Sequence, residues 1–143
     1  MTLYYEDVNK GDPLPAATRG PLAEIDFVRY AGACGDFNPI HTVDRVAREV
    51  GLDGVIAHGM LVASYAAQMV TGWAGEGTLR QFKVRFSGMT KPGETLVCEG
   101  RVTGTEQADG ENLVRGRITV KGQADDSTKL KGEFAVALPK KGE

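Results

Sequence analysis

Apolar and polar positions alternate through most of the second half of the chain. Phe82, Val84 and Phe86 alternate with Gln81, Lys83 and Arg85. Leu96, Cys98, Gly100 and Val102 alternate with Val97, Glu99 and Arg101. Val114, Gly116, Ile118 and Val120 alternate with Arg115, Arg117 and Thr119, and Leu130, Gly132, Phe134, Val136 and Leu138 with Lys131, Glu133 and Ala135. Period two predicts four strands, each with one face in the core and one in water. Pro92-Gly93, Asp109-Gly110 and Asp125-Asp126-Ser127 supply the turns. Such short connections require antiparallel neighbours.

The first half follows the helical period instead. Pro21-Leu22-Ala23-Glu24 opens a helix to about Ala33, with Ile25, Phe27, Val28 and Tyr30 as its apolar face. Gly35 to His41 reads as a loop, because Asp36, Asn38 and Pro39 disfavour helix interiors. Val43, Val46, Ala47 and Val50 then mark a short helix that Gly51 stops. Met60 to Ala74 is apolar almost all round, with Ser64, Gln68 and Thr71 on one narrow face. A helix of that kind belongs inside. Met60, Met69 and Trp73 are expected in the core, and Cys34 and Cys98 as small buried hydrophobes. Tyr4 to Val8 forms a short edge element. The architecture expected is α+β: an antiparallel sheet curling round a long central helix, in one domain spanning 1–143, with 139–143 a frayed tail.

Composition narrows the function classes. The chain has 143 residues, 41% hydrophobic and 25% charged, which are globular proportions. Its net charge of −2 offers no basic excess for nucleic acid. Two distant cysteines give neither a disulfide framework nor a cysteine zinc site. No apolar run is long enough for a bilayer, and the acidic start has no leader pattern, so a cytoplasmic protein away from membranes is expected. Lys83, Arg85 and Arg101 fall on the solvated face of the sheet, Arg85 being the one placed to meet a phosphate.

Chemistry concentrates around the only two histidines. Asp36 and His41 stand five apart across a Pro-containing turn that can fold both to one side. A carboxylate beside an imidazole can hold a water and move protons near neutral pH. The plainer alternative is a turn-capping Asp beside a structural His. His58-Gly59-Met60 leads into the apolar helix, whose first N–H groups lack partners and carry partial positive charge. Gly59 lets an oxygen approach that backbone, as an oxyanion hole needs. Asp36, His41 and His58 also have the composition of a two-histidine, one-carboxylate metal site, although no supporting spacing accompanies them. The Ser64 hydroxyl is expected to bond back within its helix.

Tyr30-Ala31-Gly32-Ala33-Cys34-Gly35-Asp36-Phe37-Asn38-Pro39-Ile40-His41, followed by Ala47, resembles the signature of the MaoC-like (R)-specific enoyl hydratases and dehydratases. Ile56-Ala57-His58-Gly59-Met60-Leu61 resembles their second block. Val50-Gly51-Leu52 and Val84-Arg85-Phe86 are similar to tracts of (3R)-hydroxyacyl-ACP dehydratase catalytic subunits. The resemblance implies a hotdog fold, with Asp36 and His41 as catalytic dyad and the Gly59 amide as oxyanion donor. Asn38 and His58 would flank the substrate, Asn38 orienting the loop. Where some relatives carry a serine in the helix, Ala67 stands here. The implied activity interconverts (3R)-hydroxyacyl and trans-2-enoyl thioesters of CoA or acyl carrier protein (ACP), with no organic cofactor and no metal. The implied assembly is a homodimer, or a heterodimer with a related hotdog subunit. A thioesterase and a non-catalytic thioester-binding subunit are the rival readings on the same fold.

Overall fold

The computed structural model describes residues 1–143. Three helices, α1 (Glu24–Cys34), α2 (Asp44–Glu49) and α3 (Gly59–Ala74), precede most of the sheet. The strands are β1 (Ala17–Arg19), β2 (Leu79–Phe86), β3 (Leu96–Ala108), β4 (Glu111–Gly122) and β5 (Thr128–Ala137). They form one antiparallel sheet in the order β1-β3-β4-β5-β2. This sheet wraps α3, which is the hotdog arrangement.

The alternation sorts most of the sheet as expected, except that Phe86, expected inward, is exposed and Ala135, expected outward, is buried. Leu96, Cys98, Val102, Val114, Ile118, Val120, Leu130, Phe134 and Val136 are buried in one cluster with Leu61, Val62, Ala63, Ala66, Met69 and Val70 of α3. The β3–β4 hairpin runs several residues beyond the expected strands, Ala108 opposing Glu111 across a two-residue turn. Asp109 and Gly110 both take positive φ, 54° and 77°, as a turn matched to strand twist requires. Ser64 Oγ donates to the Leu61 carbonyl at 2.6 Å, the expected bond back into its own helix.

Several expectations change. Tyr5–Asp7 is a 3-10 turn, and the added strand is β1, whose three residues are too few to show a period. The tail expected to fray is tied down: Pro139 O accepts from Tyr5 N at 2.9 Å and Lys141 pairs with Asp7. On α1 only Phe27 and Ala31 are buried, while Ile25 and Val28 face outward. Met60 is likewise exposed, because it sits in the first turn of α3, beyond the cover of the sheet. Cys34, at the end of α1, is exposed as well.

The two sheet edges differ. Gly11, Asp12 and Leu14 bond to β3 beyond the short β1. At the other end β2 presents a full-length edge with no neighbour, and such edges are templates for another chain. No helix is long and apolar enough to cross a membrane.

Cys98 is fully buried, and burial pushes its thiol up to about 11. A raised pKa removes thiolate, the reactive form, at working pH. In the folded protein near pH 8, a thiol reagent should therefore modify Cys34 and leave Cys98 until denaturant is added. Mass spectrometry of labelled peptides checks this; equal labelling of both would contradict it.

Candidate active site

The loop between α1 and α2 is built from short-range bonds that its residue types dictate. Gly35 closes α1 in the left-handed region, φ 78°. Asp36 Oδ1 accepts from Asn38 N at 3.2 Å, and Asn38 Oδ1 accepts from Ile40 N at 3.2 Å, capping the 3-10 turn Pro39–His41. These are the turns that Asx side chains favour. They bring Asp36 Oδ2 to 4.0 Å from His41 Nε2.

That separation exceeds a hydrogen bond but suits one bridging water. A water about 2.8 Å from each atom would subtend about 90°, near its own bond angle. The orientation of His41 is fixed on its other side. Its Nδ1–H donates to the Ile56 carbonyl at 2.8 Å, which leaves Nε2 as acceptor. Two acceptors, the carboxylate and Nε2, then share the two protons of one water.

His58 stands behind this pair. Its ring stacks on His41 at 3.8 Å and 24°, and Tyr30 meets its edge at 4.9 Å. Nε2–H donates to the Asp36 backbone carbonyl at 3.1 Å, while Nδ1 is buried without a partner. His58 is only 2% exposed and is not among the residues that line the cavity beside His41. Its hydrogen bond and its stack hold the Asp36 backbone and the plane of His41. Asn38 is also outside that cavity and acts on the loop through its cap. Burial, followed by Cys34, pushes the Tyr30 phenol upward.

Gly59 begins α3, where N–H groups have no helical acceptor. It shares a cavity of about 170 Å³ with His41, Val62, Phe86, Met89 and Thr90. A Cβ at Gly59 would lie 3.1–3.3 Å from the Phe86 ring, so a side chain here would fill the approach to the amide. The cavity thus faces an imidazole on one wall and a helix N-terminus on another.

Thr90 and Lys129 escaped the sequence reading. Lys129 falls at a bulge of β5, and its Nζ donates to Glu94 at 2.8 Å and to the Met89 carbonyl at 2.9 Å. The pair is largely buried and pins the 87–95 segment that roofs the cavity. The only sequence signal was a lysine beside Leu130 at a strand start, which is common.

Asp36, His41 and His58 offer ligand-type atoms within 4.8 Å of one another. Yet one nitrogen of each ring is committed to a carbonyl, and near-parallel rings aim their in-plane lone pairs side by side.

The chain is similar to several known proteins. A family model described as a MaoC like domain matches residues 8–124. The (R)-specific enoyl-CoA hydratase of Rhodospirillum rubrum is 30% identical over 103 residues, covering 71% of this chain and 70% of that one. The fatty acid synthase subunit beta of Aspergillus oryzae is 35% identical over 89 residues, covering 54% of this chain; the chain spans only 4% of that relative. The unliganded R-hydratase PhaJ1 of Pseudomonas aeruginosa superposes with a TM-score of 0.83 at 28% identity, covering 98% of this chain and 88% of that one.

The geometry assigns His58 a positioning role. One hydrogen bond is worth about 0.5–1.5 kcal/mol, or up to about tenfold in rate. His58→Ala, which also loses the stack, should lower kcat at least that much with KM changed less. His58→Gln keeps an N–H donor and should recover part of the loss. Steady-state kinetics on thermally characterised variants checks both.

Proposed function

Because the chain belongs to the family of MaoC-like domains, we propose that it is a hydro-lyase that interconverts trans-2-enoyl and (3R)-hydroxyacyl thioesters. The observation that carries this reading is the 4.0 Å gap between Asp36 Oδ2 and His41 Nε2, with His41 and Gly59 lining one cavity. In the hydration direction the gap holds the water. Its oxygen bonds to Cβ of the enoyl group, the double-bond electrons move toward Cα, and the thioester oxygen gains negative charge. The Gly59 N–H stabilises that oxygen. The Asp36–His41 pair takes one proton from the water and returns one to Cα, so water is added in full and the pair ends as it began. Dehydration is the reverse. The residues hold no role for an organic cofactor or a metal in this sequence of steps.

The open β2 edge supports a second subunit, either a copy of this chain or a related hotdog chain. Phe86 and Met89 of the cavity wall and Phe37 beside Asp36 are large apolar side chains exposed in one chain, and a neighbour would cover such surface.

Asp36→Asn and His41→Ala should each lower crotonyl-thioester hydration by about 10²–10⁴, roughly 3–5 kcal/mol of barrier. The double variant should be little worse than the poorer single one, since both act on one water. Folded single variants with near wild-type turnover would remove the dyad. In light scattering the active species should be at least dimeric; a fully active monomer would overturn the assembly.

A further inference from the structure

The outward face of the sheet is strongly basic in a chain whose net charge is −2. Lys83, Arg85, Arg117 and Lys131 line an open groove across β2, β5 and β4, floored by Gly132, with Glu133 the one carboxylate among them. The register sets like charges opposite each other: Arg85 faces Lys131, and Arg117 faces Arg101. Elsewhere on the sheet Arg80 pairs with Glu111 and Arg115 with Glu106, whereas the four groove cations hold no ion pair. Like charges directly across a strand pair are destabilising. Glu133 stands opposite both Lys83 and Arg117, so the groove keeps four cations against one carboxylate, an excess suited to an anion supplied from outside.

The groove ends close to the site along β2 and β5. Lys131 lies two residues from Lys129 and Arg85 one residue from Phe86, and Lys129 and Phe86 both line the cavity beside His41. At about 3.3 Å per residue, the near end of the groove is within about 7 Å of the cavity rim. Pairing of the β2 edge with a second subunit would leave this face open, because side chains stand perpendicular to the sheet.

We infer that this face docks an acidic carrier protein whose acyl thioester reaches the cavity round the Phe86 end of β2. The inference rests on the thioester reading above and chooses between its two carriers. A shallow face with cations spread over three strands matches an extended acidic surface. The compact phosphates of CoA call for donors that converge, and nucleic acid calls for aromatic stacking platforms, which this face lacks.

The test uses the whole protein and Arg117→Glu/Lys131→Glu, with Lys10→Glu/Lys140→Glu as an equal charge change on another surface. Crotonyl thioesters of an acidic acyl carrier protein and of CoA are compared between about 25 and 300 mM salt, where screening of exposed charges changes strongly. The carrier-borne kcat/KM should fall at least tenfold in the groove variant and steeply with salt in the wild type. The CoA-borne reaction should stay within twofold, and the control variant should match the wild type. Equal losses on both carriers, or no loss on the carrier protein, would overturn the inference and leave the hydro-lyase reading standing. Calorimetric titration with the unacylated carrier protein gives a readout independent of turnover. If the wild type hydrates neither thioester, the activity reading fails, and carrier binding weakened only by the groove variant still upholds the docking face.

Discussion

Helix α3 is too apolar to be left in water, and its burial against the concave face of the sheet is the constraint on which the rest depends. Leu61, Val62, Ala63, Ala66, Met69, Val70 and Ala74 are buried along its sixteen residues. Each large apolar side chain contributes roughly 1.5–3 kcal/mol, against about 0.5–1.5 kcal/mol for a hydrogen bond. Packing therefore fixes where α3 lies, and the polar contacts at its start adapt to it. Since the sheet covers the middle and end of the helix, its first turn emerges at the rim. That places the unpaired amide of Gly59 in a cavity and leaves Met60 outside.

The geometry of the Asp36–His41 pair is local by comparison. Asp36, Asn38 and His41 are brought together by an Asx turn, a cap and a 3-10 turn within six residues. The fold adds two long-range ties: Ile56 O to His41, and His58 to the Asp36 carbonyl. Together they fix one tautomer and one ring plane for His41. The 4.0 Å gap is then a consequence of backbone placement and leaves room for the third atom that the chemistry needs.

Charge is used in two ways. Pairs such as Arg45–Glu49 and Arg48–Asp44 lie in water within one helix, where such pairs contribute little. Lys129–Glu94 is largely buried; breaking a buried pair strands an ion and costs several kcal/mol. The second pair is thus the one that holds the cavity roof, while the unpaired cations of the outer face remain available to a partner.

The sequence by itself determined the periodic elements. Period two set β2 to β5 and most of their inward residues, Phe86 and Ala135 being the exceptions, the all-round apolar stretch set α3, and Asp109-Gly110 set the long hairpin. These depend on local geometry and on burial of one face, both of which a single chain encodes directly. The Asp36–His41 loop was also legible, because its turns are made by neighbouring residues, and the motif resemblance named its role. Only the tertiary structure decided what lies between distant segments. It set His58 behind His41, brought Phe86, Met89, Thr90 and Lys129 to the cavity, and tied the C-terminal residues to the first turn. It also turned Ile25, Val28, Met60 and Cys34 outward, against their apolar character. Which apolar side chains become buried depends on how far the sheet extends over each helix, and that length is fixed by strand pairing between segments far apart in the chain.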